Sequence, residues 1–187
     1  MALPTPSQTI GPFLHIQVPY DGEEQVVGEK DPDAIRLRGI LFDGEGTPVD
    51  DALIEIWQAN RAGRYAHPAD PREHIPLDDG FGGFGRCATD EEGRFEFVTV
   101  KPGQVPGPGG AIQAPHIDVS IFARGLLKRL VTRIYFSDEP DANAADPVLS
   151  SIPGAAERDT LIGRVEGDEV RFDIHLQGDD QTAFFEV

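Results

Sequence analysis

Residues 116–122 read HIDVSIF, and the strict alternation of this stretch decides the fold class. A period of two belongs to a strand with two unlike faces, so Ile117, Val119 and Ile121 point to a core while His116 and Asp118 share the opposite face. The same pattern recurs in IRLRG (35–39), LIEIW (53–57), RFEFV (94–98) and VRFDIHL (170–176), and helical periodicity is almost absent. Turn residues separate these runs: DGEG at 43–46, DEEG at 90–93, and KPGQVPGPGG at 101–110, a tract too rich in Pro and Gly for a ladder. Only Ala155 to Gly163 has helical spacing, with Pro153 and Gly154 before it and Gly163 as a stop. The expectation is a mainly β protein: one antiparallel β-sandwich domain over 1–187, with long loops, an extended N-terminal arm over 1–34 and one short peripheral helix.

Composition narrows the function classes. The chain has 187 residues, 39% of them hydrophobic and 26% charged, which suits a globular domain with a full core. Sixteen Lys and Arg against 33 Asp and Glu give a net charge of −17, a sign that argues against nucleic acid and against anionic membranes as partners. No apolar run reaches the ~18 residues of a membrane span, and the N-terminus shows no basic region followed by an apolar one, so a cytoplasmic location is expected. The single cysteine, Cys87, excludes an internal disulfide and a cysteine-built metal cage, and reads as a small core residue.

Four features bear on chemistry. Tyr65, in GRYAH after the strand ending at Trp57, is either a packing residue or a phenolate ligand, the latter only beside a hard metal ion that stabilises the deprotonated form. His116 and Asp118 offer an imidazole and a carboxylate on one strand face, suited to a shared ion or to a hydrogen-bonded pair in a polar pocket. The segment from Arg124 to Arg133 holds Arg124, Lys128, Arg129 and Arg133 and no acid, so Arg124 can grip a carboxylate ligand or pair with an acidic neighbour on the same chain. The glycines of GFGGFGR (80–86) lack a Walker lysine and a following helix, which leaves a turn with aromatic packing rather than a phosphate loop.

Taken together, DGEGTPVDDALIEIWQANRAGRY, GFGRCATDEEGRFEFVTVKPG, APHI, RIYF and VRFDIHLQG, in that order, resemble the intradiol ring-cleavage dioxygenases over most of the chain. That resemblance implies a β-sandwich and, in iron-binding members, Fe(III) held by two tyrosines and two histidines. Tyr65 and His116 stand at two of those positions. Val105 stands where the second tyrosine follows the KPG turn, Asp118 replaces the second histidine, and Gln113 replaces an arginine common just before the histidine pair. The chain therefore resembles the iron-free subunit of the heteromeric members, to which TPSQTIGPF at 5–13 is also similar.

By that resemblance no catalytic group and no metal belong to this chain alone. Fe(III) is carried by a homologous β subunit, and the substrates are O2 and a small carboxylated catechol. Arg124, Thr9, Gly11 and Pro12 border the shared pocket, and the assembly is a higher hetero-oligomer. Two competing expectations stand beside it. One is a self-sufficient dioxygenase using Tyr65, His116, Asp118 and a further ligand. The other is a non-catalytic binding or assembly module on the same sandwich, since fold does not imply activity.

Overall fold

The computed structural model describes residues 9–11 and 13–186, leaving Pro12 outside the described residues. One turn of helix, α1 (Leu14–Gln17), lies in the N-terminal segment. The strands follow in order: β1 (Ala34–Phe42), β2 (Leu53–Trp57), β3 (Phe84–Ala88) and β4 (Arg94–Val100). Next come β5 (Val105–Pro106), β6 (Ile112–Gln113), β7 (His116–Phe122) and β8 (Leu130–Phe136). Helices α2 (Pro140–Ala145) and α3 (Ala155–Asp159) precede β9 (Ile162–Glu166), β10 (Glu169–Arg171) and β11 (Ile174–His175).

Hydrogen bonding joins β11, β1, β10, β9, β8, β7, β2 and β3 in that order, with β4 on β1. The sheet folds over a core in which Leu37 and Leu41 of β1, Ile54 and Ile56 of β2, Phe97 of β4, and Ile117, Val119 and Ile121 of β7 are buried. Each large apolar side chain so placed contributes about 1.5–3 kcal/mol. The expected mainly β sandwich is present, with LIEIW and HIDVSIF forming strands at the predicted bounds. Cys87 packs half-buried against the core.

Several expectations need correction. The sheet is not purely antiparallel, since β1 runs parallel to β10 and β11, and β8 runs parallel to β9. VRFDIHL is interrupted at Phe172 and Asp173: Phe172 N–H donates to Arg38 O, and the Asp173 carboxylate accepts the Ile40 N–H that a regular ladder would pair with backbone. Gly39 makes this possible, because a Cβ there would sit 1.8 Å from the Phe172 carbonyl oxygen. Within the Pro/Gly tract Val105 and Pro106 do enter a short ladder, as β5 paired with β6 just beyond it, and the end of the glycine-rich stretch, from Phe84, opens strand β3.

Helical structure also departs from the expectation. α3 stops at Asp159, so Ile162 opens a strand instead; two further helices were not expected, the single turn α1 inside the arm expected to be extended, and α2, which the apolar pattern of its residues, PDANAA, does not announce. Among the described residues no helix is long and apolar enough to cross a membrane. Part of the segment before residue 34 is built into the sandwich. Arg86 N–H of β3 donates to Glu23 O, Val98 N–H of β4 donates to Glu24 O, and Val26 N–H returns to Val98 O. Residues 23–26 thereby cover the free edges of β3 and β4, which would otherwise present unpaired backbone.

Candidate functional site

Buried polar residues position the Tyr65 loop. Directly after β2, Gln58 and Asn60 are fully buried. Gln58 Nε2 donates to Val100 O at 2.8 Å while its Oε1 accepts Thr99 Oγ1 at 2.6 Å. Asn60 Oδ1 accepts the Arg64 N–H at 2.8 Å, and Asn60 O accepts the N–H groups of Gly63 and Gly103, tying the 61–64 turn to the KPG turn. Gly63 has φ of 78°, and a Cβ there would meet Gln104 O at 2.1 Å, so only glycine suits the position.

Tyr65 N–H is in turn held by Asp70, whose carboxylate Arg72 grips through two hydrogen bonds. The Arg72 guanidinium is the largest cause holding the Asp70 carboxyl well below the usual range. The Tyr65 ring stacks on Trp57 at 6.1 Å between centroids, beside an open cleft of about 600 Å³ also lined by His67, Pro71 and Pro106. Burial, and next the Asp118 charge, push the Tyr65 phenol up to about 12, so it is neutral at ordinary pH.

Register builds the other half of the site. β7 and β8 set His116 opposite Tyr135 and Asp118 opposite Arg133, all on the face away from the core residues Ile117 and Ile134. His116 Nδ1 lies 2.7 Å from Ala114 O, and because a carbonyl only accepts, Nδ1 carries the proton. Nε2 is then a bare lone pair, and it is buried without a partner among the described residues. Burial first and the Arg133 charge second lower the His116 pKa, in agreement with a neutral ring. A second apolar cluster of Ala114, Tyr135, Leu149 and Leu161 packs behind this face.

The expected pairing of His116 with Asp118 does not form. Asp118 Oδ1 accepts Arg133 Nε at 2.8 Å across the ladder instead, and Gln113 Oε1 accepts an Arg133 terminal nitrogen at 2.7 Å. Val105 is buried, and pairs with Gln113 in the β5–β6 ladder. The structure thus gathers Tyr65, Val105, Gln113, His116 and Asp118 around one end of β7. His116 keeps the posture of a metal-binding imidazole, one nitrogen donating to a carbonyl and the other free. The set as a whole does not fit a ferric ion, because Val105 has no donor atom and Asp118 is engaged by a guanidinium. Among the described residues no cluster of three or more His, Cys, Asp or Glu is arranged to hold a metal.

Arg124 lies elsewhere. It follows the far end of β7, eight residues along the chain from His116, with a strand of roughly 20 Å between them. There it forms an ion pair with Asp51 through Nε, as the charge pattern alone suggested, yet 60% of its side chain is exposed. Thr9 joins it, accepting the Gly125 N–H on Oγ1 at 3.0 Å, and exposed Gly11 follows two residues later. The basic stretch 124–133 is therefore two features: an exposed turn carrying Arg124, Lys128 and Arg129, and Arg133 within β8. Sequence reading missed Gln58, Asn60, Asp70 and Asp146, buried or half-buried polar anchors whose partners are remote or depend on loop geometry.

A family model described as "Dioxygenase" matches residues 16–178. The chain is 40% identical to the protocatechuate 3,4-dioxygenase alpha chain of Pseudomonas putida over 97% of its own length and 96% of that relative. It is 42% identical to the corresponding beta chain of Burkholderia cepacia, over 94% of its own length but 77% of that relative. The dioxygenase domain of a carbohydrate-binding fusion protein from Streptomyces sp. SirexAA-E aligns with a TM-score of 0.59 at 27% identity, covering 94% of this chain and 99% of that one. A family match over most of the length, with relatives of this identity and a shared sandwich, means that the chain belongs to the intradiol ring-cleavage dioxygenase family.

Proposed function

We propose that this chain is the iron-free α subunit of a protocatechuate 3,4-dioxygenase, working in the cytoplasm in the breakdown of aromatic compounds. The observation that carries the reading is the donor set at residues 65, 105, 116 and 118, where an aliphatic side chain and an ion-paired carboxylate replace two metal ligands. Identity alone does not choose between the two subunit types, being 40% to an alpha chain and 42% to a beta chain. Coverage does discriminate: 96% of the alpha relative against 77% of the beta relative is spanned.

The partner is a homologous β subunit that holds Fe(III), within a higher hetero-oligomer. The ring-cleaving chemistry belongs to that partner's ferric ion: both atoms of O2 enter as 3,4-dihydroxybenzoate opens between its hydroxyl-bearing carbons to 3-carboxy-cis,cis-muconate. This chain contributes a binding surface. Arg124, Thr9 and Gly11 border the shared pocket, and Arg124 faces the substrate carboxylate. Its exposure supports that role, since a guanidinium open to solvent can present its planar fork to a carboxylate. A charge of −17 repels an anionic substrate at long range, but that field is screened beyond about 8 Å in physiological salt, whereas a guanidinium at a covered interface acts locally.

Purification of the chain alone and with its β partner tests this reading. Protocatechuate-dependent O2 uptake is expected from the pair and not from this chain alone; ring cleavage by the isolated chain would contradict it.

A further inference from the structure

Two directly opposed residues of β7 and β8 carry opposite charges within the ligand-poor face around His116. Arg133 donates from Nε to Asp118 Oδ1 at 2.8 Å, and from a terminal nitrogen to Gln113 Oε1 at 2.7 Å and to Tyr135 Oη at 3.4 Å. Only 19% of its side chain is exposed, and Asp118, at 30%, is half-buried with it. The ring of Phe185 covers the guanidinium at 6.0 Å. A guanidinium cannot give up its proton at ordinary pH, so this face holds a permanent positive charge.

We propose that Arg133 is a resident cation in place of a metal ion: its guanidinium gathers the acceptors of the β7–β8 face and keeps that face closed to a multivalent cation. Asp118 is then the counter-ion of Arg133 rather than a leftover ligand. Gln113 and Tyr135 are its remaining acceptors, which is why a mostly buried charge is tolerated here. The bare His116 Nε2 is left without a hydrogen-bond donor among the described residues, Arg133 Nε and one terminal nitrogen being directed to Asp118, Gln113 and Tyr135 instead. The missing donors and the resident charge act together, so restoring donors alone does not restore binding. The inference rests on the reading that this chain carries no iron of its own.

The test uses the full chain in three forms: unaltered, V105Y/D118H, and V105Y/D118H/R133Q. Each is loaded with iron, dialysed against a weak chelator, and assayed for bound metal by mass spectrometry and for phenolate-to-iron absorption. The triple variant is expected to retain iron at least tenfold more tightly than the double variant. Equal retention by both, or retention by neither, overturns the role given to Arg133; retention by the unaltered chain instead removes the reading beneath it. Because D118H strands the guanidinium, a thermal-unfolding cycle of D118N, R133Q and D118N/R133Q accompanies it. The double substitution is expected to lower Tm by less than the two single losses added together, and simple additivity would refute the pairing of the two charges.

Discussion

The side-chain oxygen of Thr9 accepts a hydrogen bond from the backbone N–H of Gly125 at 3.0 Å, across 116 residues of chain. This contact brings the N-terminal arm against the turn that displays Arg124. Thr9→Val keeps the shape and removes the acceptor. An exposed bond of this kind contributes about 0.5–1.5 kcal/mol. In the paired enzyme, KM for protocatechuate should rise about threefold to tenfold with kcat and Tm nearly unchanged; an unaltered KM would leave the arm without a role at the pocket.

Arg124→Ala should raise KM for protocatechuate about tenfold or more, the equivalent of about 1.4 kcal/mol, the low end for a charge-assisted bond. Catechol, which lacks the carboxylate, serves as the control substrate and should be turned over as before. Arg124→Lys restores the charge without the planar fork, and should recover only part of the loss.

Asp146 is a structural prediction independent of substrate. Fully buried, its carboxylate accepts the N–H groups of Ala114, Val148 and Leu149 and the hydroxyl of Tyr135. It anchors the α2 segment behind the His116 face. Asp146→Ala leaves four donors unsatisfied and should cost about 3–5 kcal/mol in denaturant unfolding. Asp146→Asn, which keeps an oxygen acceptor, should cost less.

The phenol of Tyr65 supplies a pH dependence. Its pKa is raised from 10.0 to about 12 in the folded chain, chiefly by burial. Above pH 10 the unfolded chain releases this proton while the folded chain retains it, so the stabilisation is complete below pH 10 and is lost as pH rises toward 12. Tyr65→Phe should flatten part of the decline in stability over that window, as followed by chemical denaturation at a series of pH values.

How much of this was legible in the sequence follows from what each residue contacts. The alternation in HIDVSIF and LIEIW survives in the fold because both strands have one face on the core, and burial enforces the period. The break in VRFDIHL was hidden because it depends on Gly39 admitting the Phe172 carbonyl, a contact between distant strands. At the site, strand spacing placed His116 and Asp118 on one face but said nothing of β8. The partner of Asp118 is set by the β7–β8 register, which put Arg133 opposite it. Arg133 was visible only as one basic residue among four. Thr9 and Arg124 were drawn together by family resemblance, and their proximity has a concrete basis in the Thr9–Gly125 bond.

In the proposed assembly the metal belongs to the partner. Iron is measured per polypeptide in the isolated chain, and again in the complex reconstituted with an iron-loaded β subunit. The isolated chain should be colourless with iron at buffer background, and the complex coloured and ring-cleaving with one iron for each β subunit. Stoichiometric iron in the isolated chain, lost on Tyr65→Phe or His116→Ala, would contradict it.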